Sequence, residues 1–434
     1  MSFQQGLSGL NAASKTLDVI GNNVANTSTV GYKQSRAEFS DVYAASLSGA
    51  GSSTIGLGTQ VSTVTQQFTQ GNITASNNPM DIAINGRGFF RMSQGGSISY
   101  TRNGQFQMDK NNYIVDARGL QLTGFALNAT TGVLDTSTPV PIQLNTGDQP
   151  PLATGAATAT PGVLAQLNLD SRNPIIAAAF NYQDPTTFNQ STSLAIYDSQ
   201  GNPYSQTLYF KKSAANTWDV YSTVTNPQGN TVSVPNPAVP TTAVTQLVFG
   251  TNGTLTSSSL GAGNLTVPAA PGVGSPANFT TLSGAAIVFP VNFSGTSQYG
   301  TSFGVNALSQ DGYSSGKLTG TSISPDGFIK GRYTNGQTKT LGQVTVTNFQ
   351  NPQGLQPLGN NQWGETSSSG NAVPVAGVPG SGSLGVLQAS AVEDSNVDLT
   401  AELVNMITAQ RVYQANAQTI KTQDSIMQTL VNLR

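Results

Sequence analysis

Apolar residues recur at heptad spacing along the last stretch of the chain. Successive gaps of four, three, seven, four, three, seven and four positions separate Leu399, Leu403, Met406, Tyr413, Ala417, Ile420, Met427 and Val431. This repeat is typical of a helix whose apolar stripe packs against another helix. Neither proline nor glycine interrupts residues 391–434. We therefore expect one helix of roughly 38 residues, about 57 Å long.

The start and the character of this helix also follow from the pattern. Ser395 and Asp398 have the spacing of a capping box, which predicts that the helix begins there. Gln410 and Asp424 fall on the stripe, and polar residues on such a seam weaken packing but fix register. Since typical globular helices have about 8–20 residues, a partner helix is favoured over an ordinary core helix.

The amino-terminal residues repeat the same spacing. Ser2 and Gln5 form a second capping box, and the glycine and asparagines after Ile20 predict that the helix ends between Gly21 and Asn26. Two paired helices can cover each other along one face only, so the remaining apolar surface predicts contacts with other copies. The predicted polymerisation interface comprises Phe3, Leu7, Leu10, Leu17, Val24, Leu399, Leu403, Met406, Tyr413, Ile420, Met427 and Val431.

Between the helices the pattern is that of turn-rich β structure. Alternating strands between residues 80 and 127 are separated by Asn-Gly and Asn-Asn turns, which predict hairpins. A second group of alternating strands occupies residues 193–224, and loop-like passages follow it. Strands with Asp-Gly and Asn-Gly turns return after Phe303.

These patterns predict a multidomain protein in which paired, coiled-coil terminal helices flank two nested, mainly antiparallel β domains. The predicted parts are an inner helical domain (1–26 and 391–434), extended connecting arms (27–70 and 364–390), a first β domain (71–148 and 296–363) and an inserted second β domain (149–295).

Composition narrows the range of functions. Charged residues make up 9% of the 434-residue chain, against about 25% in typical soluble proteins. A formal net charge of −2 gives no electrostatic reason to expect binding to nucleic acid or to an anionic membrane. No stretch approaches the roughly 20 apolar residues of a membrane span. The first residues lack the basic and apolar regions of a secretory signal, so an exported chain would use a dedicated route.

Candidate chemistry is sparse. The chain has no cysteine and no histidine, the residues that disulfides, most metal sites and catalytic triads require. The four glutamates are Glu38, Glu365, Glu393 and Glu402, and their placement in arms or at the terminal helix gives no pair of glycosidase carboxylates. Asp109 begins a run like a calcium loop, but the sixth position is not glycine and no glutamate closes it. We predict no enzyme activity, no cofactor and no metal.

Several passages together resemble the bacterial flagellar axial proteins, the rod-and-hook family. They are Ser8-Gly-Leu-Asn-Ala12, Leu17-Asp-Val-Ile-Gly-Asn-Asn-Val-Ala-Asn26, Gly31-Tyr-Lys33, Gly88-Phe-Phe-Arg91, Tyr100-Thr-Arg-Asn-Gly104, Gly119-Leu-Gln-Leu-Thr-Gly124, Ser395-Asn-Val-Asp-Leu399, Glu402-Leu-Val-Asn-Met406 and Ala409-Gln-Arg411. Rod and hook-associated proteins share the terminal motifs. Ala195-Ile-Tyr-Asp-Ser-Gln-Gly201 and the chain length favour the hook members, with a distal rod or hook-associated protein as the alternative.

The resemblance implies a structural subunit of the flagellar hook. Many copies would form a curved helical tube, a flexible joint that transmits motor torque from rod to filament. The helices would line an inner layer, the first β domain a middle layer and the insertion an outer layer. The implied partners are further copies, the rod, the hook cap, the hook–filament junction proteins and the type III export apparatus, with an extracellular location in the flagellum.

Two other classes of function fit the sequence less well than a hook subunit does. A cell-wall enzyme that travels with the flagellum is disfavoured by the few, scattered carboxylates. A free extracellular adhesin has no use for seam helices at both ends of the chain.

Overall fold

The computed structural model describes residues 2–42, 56–128, 133–157, 162–234, 243–258, 264–269 and 279–432. The chain divides into two compact units. Unit 1 contains residues 1–146, 319–332 and 338–434, and unit 2 contains residues 147–318 and 333–337. Among the described residues, neither long helix has the apolar character that a membrane span requires.

The helices stand at the two ends of the chain and short strands lie between them. The first elements are α1 (Ser2–Ala25), β1 (Ser35–Val42), β2 (Gly58–Gln66), β3 (Ile73–Ala75), β4 (Ile82–Asn85), β5 (Phe89–Gln94), β6 (Ser97–Thr101), β7 (Gln107–Met108), β8 (Ile114–Val115), β9 (Gln121–Ala126) and β10 (Val140–Pro141). The next are β11 (Val163–Asp170), β12 (Gln190–Tyr197), β13 (Pro203–Ala214), β14 (Thr217–Thr225), β15 (Thr231–Val234), β16 (Thr245–Phe249), β17 (Leu255–Ser258), β18 (Asn264–Val267), β19 (Ile287–Asn292), β20 (Ser297–Tyr299) and β21 (Gly304–Gln310). The last are β22 (Leu318–Ile323), β23 (Phe328–Tyr333), β24 (Thr338–Val344), β25 (Val346–Asn348), β26 (Gln356–Gly359), β27 (Gln362–Gly364), β28 (Val373–Gly377), β29 (Val386–Ala389), β30 (Ala391–Glu393) and α2 (Leu399–Asn432).

The main sheet of unit 1 places strands from distant parts of the chain side by side. Its strand order is β22-β23-β24-β9-β5-β6-β27-β26, with β7, β8, β10, β25 and β28 attached. The β5–β6 hairpin turns at Gly95 and Gly96. Their φ angles of +57° and +92° are positive, as two-residue hairpin turns require. Ile82, Phe90 and Leu122 are among the fully buried residues of the core under this sheet.

The segment predicted as the first arm, residues 27–70, contains a two-stranded ribbon. β1 and β2 pair in antiparallel register along their whole length, from Ser35 opposite Gln66 to Val42 opposite Gly58. The sequence analysis predicts only an extended arm here, because no apolar alternation marks strands, and the ribbon leaves Phe39 exposed. The second predicted arm, 364–390, contributes β28 and β29, which pair with β25 and β4.

Unit 2 has two sheets that share one core. The order of one is β12-β13-β14-β16-β17 with β15 on β14, and that of the other is β18-β19-β11-β20 with β21 on β11. β11 pairs in parallel with β19 and β20, while its pairing with β21 is antiparallel. Leu167 and Phe289 of one sheet and Phe210 and Trp218 of the other belong to the same buried cluster, as in packed two-sheet folds.

The two terminal helices run antiparallel and lie against each other in unit 1. A methyl group added at Gly6 would lie 3.2 Å from Cγ1 of Ile420, and one added at Gly9 would lie 2.9 Å from the side-chain amide of Asn416. Later residues of α1 thus contact earlier residues of α2, as expected for an antiparallel pair. Glycine at the contact lets the helix axes approach closely, because interaxial distance depends on the side chains between them.

The start of α2 differs from the predicted capping box. Asp398, not Ser395, caps the helix: its Oδ1 accepts hydrogen bonds from the backbone N–H of Thr400 at 2.9 Å and of Ala401 at 3.2 Å. Residues 391–393 form β30, which pairs with β3 and holds the chain extended until the helix can begin. The helix has 34 residues instead of roughly 38.

Gln5, the second residue of the predicted capping box of α1, contacts the chain before β2. Its Nε2 donates to the backbone O of Gly56 at 2.6 Å, which ties α1 to the chain just before β2. The side chain of Ser2 lies outside the described residues. α1 ends at Ala25, within the predicted window.

Candidate assembly interface

Most residues of the predicted polymerisation interface present large apolar side chains to solvent. Their exposed fractions run from 38% for Tyr413 to 71% for Val431. The exposed members are Phe3, Leu7, Leu399, Leu403, Tyr413, Met427 and Val431. The remaining members are partly buried: Leu10, Leu17, Val24, Met406 and Ile420. Ile420 is the member that lies against α1, beside Gly6.

Four further exposed apolar residues of α2 escaped the sequence analysis. They are Val404 (58%), Ile407 (52%), Val412 (48%) and Ile426 (47%). Each is next in sequence to a residue of the stripe, and a heptad template that selects one position of the pair leaves it out. A residue-by-residue count of apolar side chains would have found them. The apolar surface of α2 is therefore wider than one stripe.

The face that α2 turns towards α1 and the β1–β2 ribbon consists mostly of small and polar residues, with Ile420 as a large apolar exception. Glu402 and Ala409, seven positions apart, are the buried side chains of α2 among those that the structure describes. Ala13 and Ile20 of α1, also seven apart, are buried as well. Leu403, which the sequence analysis assigns to the interface between copies, is 44% exposed. Within one chain, the large apolar side chains of the terminal helices therefore stay exposed to solvent. A helical assembly could bury them.

A buried cluster of charges lies where both helices leave the β structure. Nζ of Lys33 lies 2.7 Å from Oε1 of Glu393, and Nη1 of Arg102 lies 3.0 Å from Oε2 of the same carboxylate. The side chains of Lys33 and Glu393 are completely buried. Burial lowers the pKa of Lys33 and of Arg102, and the negative charge of Glu393 opposes that shift in both.

Backbone groups complete the hydrogen bonding of this cluster. The backbone N–H of Gly71 donates to Glu393 Oε1 at 2.9 Å, and Lys33 Nζ donates to the O of Thr69 at 2.8 Å. Arg102 Nη2 donates to the O of Gly86 at 2.9 Å. The cluster therefore joins the segment after α1, the end of β6 and the strand before α2. Sequence reasoning placed Glu393 at the head of a helix and missed this role, because no local pattern links segments so far apart.

The run that resembles a calcium loop at Asp109 forms a turn in the structure. Oδ1 of Asp109 accepts hydrogen bonds from the backbone N–H of Asn111 and of Tyr113, both at 2.8 Å, so the carboxylate closes a turn. Among the described residues, no cluster of three or more His, Cys, Asp or Glu side chains could hold a metal.

Comparison with family models first defines the class of protein. The matching models are Flagella basal body rod protein (residues 3–33), Flagellar hook protein FlgE/F/G D1 domain (83–150), Flagellar basal body protein FlaE D2 domain (168–313) and Flagellar basal body rod FlgEFG protein C-terminal (388–433). These matches place the chain among the flagellar rod-and-hook proteins, as its motifs indicated.

Full-length relatives then give the family. The chain is 41% identical to the flagellar hook protein FlgE of Salmonella typhimurium over 443 residues, covering 100% of both chains, and to that of Escherichia coli K12 over 440 residues, again covering 100% of both. It is 30% identical to the flagellar hook protein FlgE of Borreliella burgdorferi, covering 100% of this chain and 99% of the relative. The chain belongs to the flagellar hook protein family.

A solved structure supports the fold. The crystal structure of Helicobacter pylori flagellar hook protein FlgE2 matches with a TM-score of 0.50 at 14% identity, covering 74% of this chain and 100% of that chain. The prediction of a hook-family member, in preference to a rod protein, is confirmed by the full-length relatives.

Proposed function

We propose that this chain is the structural subunit of a flagellar hook and that its copies polymerise through the apolar surfaces of α1 and α2. The polymer would be a curved helical tube, a flexible joint that passes motor torque from rod to filament. The observation that carries the proposal is the exposure of large apolar side chains on both terminal helices.

The magnitude of this surface suits reversible assembly. Eleven large apolar side chains on the described parts of α1 and α2 are exposed. Burying each from half exposure contributes roughly 1 kcal/mol, or about 10 kcal/mol in all. Association of two proteins costs about 4–15 kcal/mol in lost freedom. For one pair of copies, the free energy gained by burial therefore about equals the free energy lost on association. A lattice in which each copy contacts several neighbours is then stable.

The geometry of such contacts decides the form of the assembly. The terminal helices present different surfaces, so one copy would bind the next in a head-to-tail manner, and a head-to-tail contact that does not close on itself gives an open helical array. Charged residues make up only 9% of the chain. Contacts between uncharged polar surfaces can slide during bending, since no strong ion pair must break.

Other parts of the assignment remain predictions. In the polymer, the exposed stripe residues would pair as a coiled coil between copies. The helices would form the inner layer, the first β domain the middle layer and the inserted β domain the outer layer. Contacts with the rod, the hook cap and the hook–filament junction proteins, export through the type III apparatus and the absence of enzyme activity also belong to this proposal.

Electron microscopy of the purified chain tests the proposal. The expected result is hollow tubes that grow with concentration, and expression in a strain that lacks its own hook protein should restore hooks. Isolated particles at every concentration, together with no hook in that strain, would contradict it.

A further inference from the structure

The β1–β2 ribbon is attached to α1 near both of its ends. Where β1 begins, the N–H of Ser35 donates to Oδ1 of Asn23 at 2.9 Å, and Nδ2 of Asn23 donates to the O of Ser35 at 2.8 Å. Where β2 begins, the N–H of Thr59 donates to Oγ of Ser8 at 3.3 Å. One attachment is thus near the end of α1 and the other is in its first half.

The second attachment leaves little space between the ribbon and the helix. Just before β2, Nε2 of Gln5 donates to the O of Gly56 at 2.6 Å. A methyl group added at Gly58 would overlap Oγ of Ser8, so the backbone of β2 lies directly on α1 there.

The spans between the two attachments match in length. Ser8 and Asn23 are 15 positions apart on α1, which is about 22 Å along the helix axis. Ser35 and Asp41, which is opposite Thr59, are six positions apart, which is about 20 Å along a strand. The ribbon therefore covers the same length as this part of α1 and has two fixed ends.

A cleft of about 920 Å³ lies between α1, the ribbon and α2. Its lining on α1 begins at Gly9 and ends at Asn23, within the span between the attachments. The small side chains of Ala12 and Ala409 line it on the two helices, and Phe39 lines it on β1. One water takes up about 30 Å³ of liquid volume, so the cleft has room for the ribbon to move inward.

Few contacts hold the middle of the ribbon in place. Among the described residues, no hydrogen bond joins residues 36–40 or 60–65 to either helix, and neither strand has a buried residue. A two-stranded ribbon alone is only marginally stable in water, and segments with few buried contacts are the first to move. Phe39 is 40% exposed although it lines the cleft, so inward movement would bury more of its ring.

We propose that the β1–β2 ribbon is a strap whose middle moves into and out of the cleft while its two ends stay attached to α1. This inference rests on the proposed function, in which the tube bends as it rotates. Val61 and Val64 of the ribbon are 37% and 49% exposed, as expected of residues that a neighbouring copy covers. Copies come closer together on the inner side of a bend, and a strap that moves inward lets them do so without breaking a contact.

Two substitutions should change the stiffness of assembled tubes in opposite directions. Ala12→Leu fills part of the cleft and restricts the strap, so the persistence length measured from electron micrographs should increase. Gln5→Ala removes a hydrogen bond at one attachment, so the persistence length should decrease. The controls are Ala25→Leu, at an exposed alanine of α1 that does not line the cleft, and Gln4→Ala, at an exposed glutamine. Both controls should give tubes as stiff as those of the wild type.

Amide hydrogen exchange of residues 36–42 and 58–65 in the tubes measures the strap itself. Gln5→Ala should speed this exchange about tenfold, because one hydrogen bond that holds the ribbon on α1 is lost. Ala12→Leu should slow it about fivefold, because the added apolar surface is buried between α1 and the strap.

The possible failures are distinguishable. A wild type that stays monomeric at every concentration contradicts the proposed function itself. Tubes of unchanged stiffness and unchanged exchange in Ala12→Leu and Gln5→Ala overturn only the strap. Loss of tubes in either variant, with a monomer that circular dichroism shows to be folded and with normal tubes in its control, would assign the cleft or the attachment to a contact between copies. That result would overturn the strap as well.

Discussion

Lys33 and Glu393 are 360 positions apart in the chain, yet Nζ of Lys33 lies 2.7 Å from Oε1 of Glu393 and both side chains are completely buried. Together with Arg102, this pair joins the segment that follows α1 to the strand that precedes α2. This buried pair thus anchors the segments that lead into and out of the terminal helices to the β structure of unit 1.

Removing the shared carboxylate should destabilise unit 1 strongly. Glu393→Ala leaves two buried cations without a counter-charge, and we expect a loss of about 3–5 kcal/mol. The chain has two tryptophans, and Trp363 is the one in unit 1. Denaturant unfolding followed by Trp363 emission, in a Trp218→Phe background that serves as the reference, measures the change.

A surface ion pair provides the control for this prediction. Lys15 and Asp18 lie 3.3 Å apart with side chains that are 64% and 63% exposed. Asp18→Ala should change the free energy of unfolding by less than about 1 kcal/mol. If Glu393→Ala has an equally small effect, the buried cluster does not anchor the helices.

Two glycines should respond to alanine in opposite directions. Gly31 has a φ of +72°, and an added Cβ would lie 2.6 Å from the backbone N of Asn103, so Gly31→Ala should destabilise unit 1 by at least about 2 kcal/mol. Gly21 is inside α1 with open space around it, so Gly21→Ala should stabilise the helix by about 0.5–1 kcal/mol. Denaturant midpoints of the two variants test this, and a loss of stability for both would contradict it.

The stability of unit 1 should fall at high pH because of Tyr100. Burial raises the pKa of this phenol to about 12, and the adjacent negative charge of Glu365, to which it donates a hydrogen bond, adds to the shift. Between the ordinary pKa of 10.0 and about 12 the unfolded chain loses the proton and the folded chain keeps it. The stabilisation is therefore complete below pH 10 and is lost as the pH rises through the folded value.

Absorbance of the phenolate during an alkaline titration measures this directly. Tyr100→Phe should remove one group that titrates near pH 12. It should also flatten the decline of stability in that range. A titration unchanged by the substitution would show that another tyrosine is responsible.

The parts of the fold that the sequence could predict are those with a local pattern. α1 ends at Ala25, inside the predicted window, because helical periodicity and the residues that end it are neighbours in the chain. The turn at Asp109 is equally local. Ser395 failed as a cap because the pairing of β30 with β3, a contact between remote segments, keeps the preceding residues extended.

The parts that could not be predicted depend on tertiary contacts or on exposure. The β1–β2 ribbon leaves Phe39 in solvent and thus has no clear alternation to detect. Val404 and Ile407 were hidden because a heptad template assumes that one stripe is buried within the chain. In the structure Glu402 and Ala409 occupy the inward face instead. The Lys33–Glu393 pair has no sequence signature at all, since either residue alone resembles a surface charge.

The central claim is that the apolar surface of the terminal helices drives polymerisation. Sedimentation of wild type, Leu403→Asp with Met427→Asp, and the control Ile175→Asp tests it most directly. Leu403 and Met427 are 44% and 61% exposed on α2, and Ile175 is 56% exposed in unit 2. We predict that wild type and Ile175→Asp sediment as tubes while the helix variant stays monomeric and folded. Tubes formed by the helix variant at the wild-type concentration would contradict the claim.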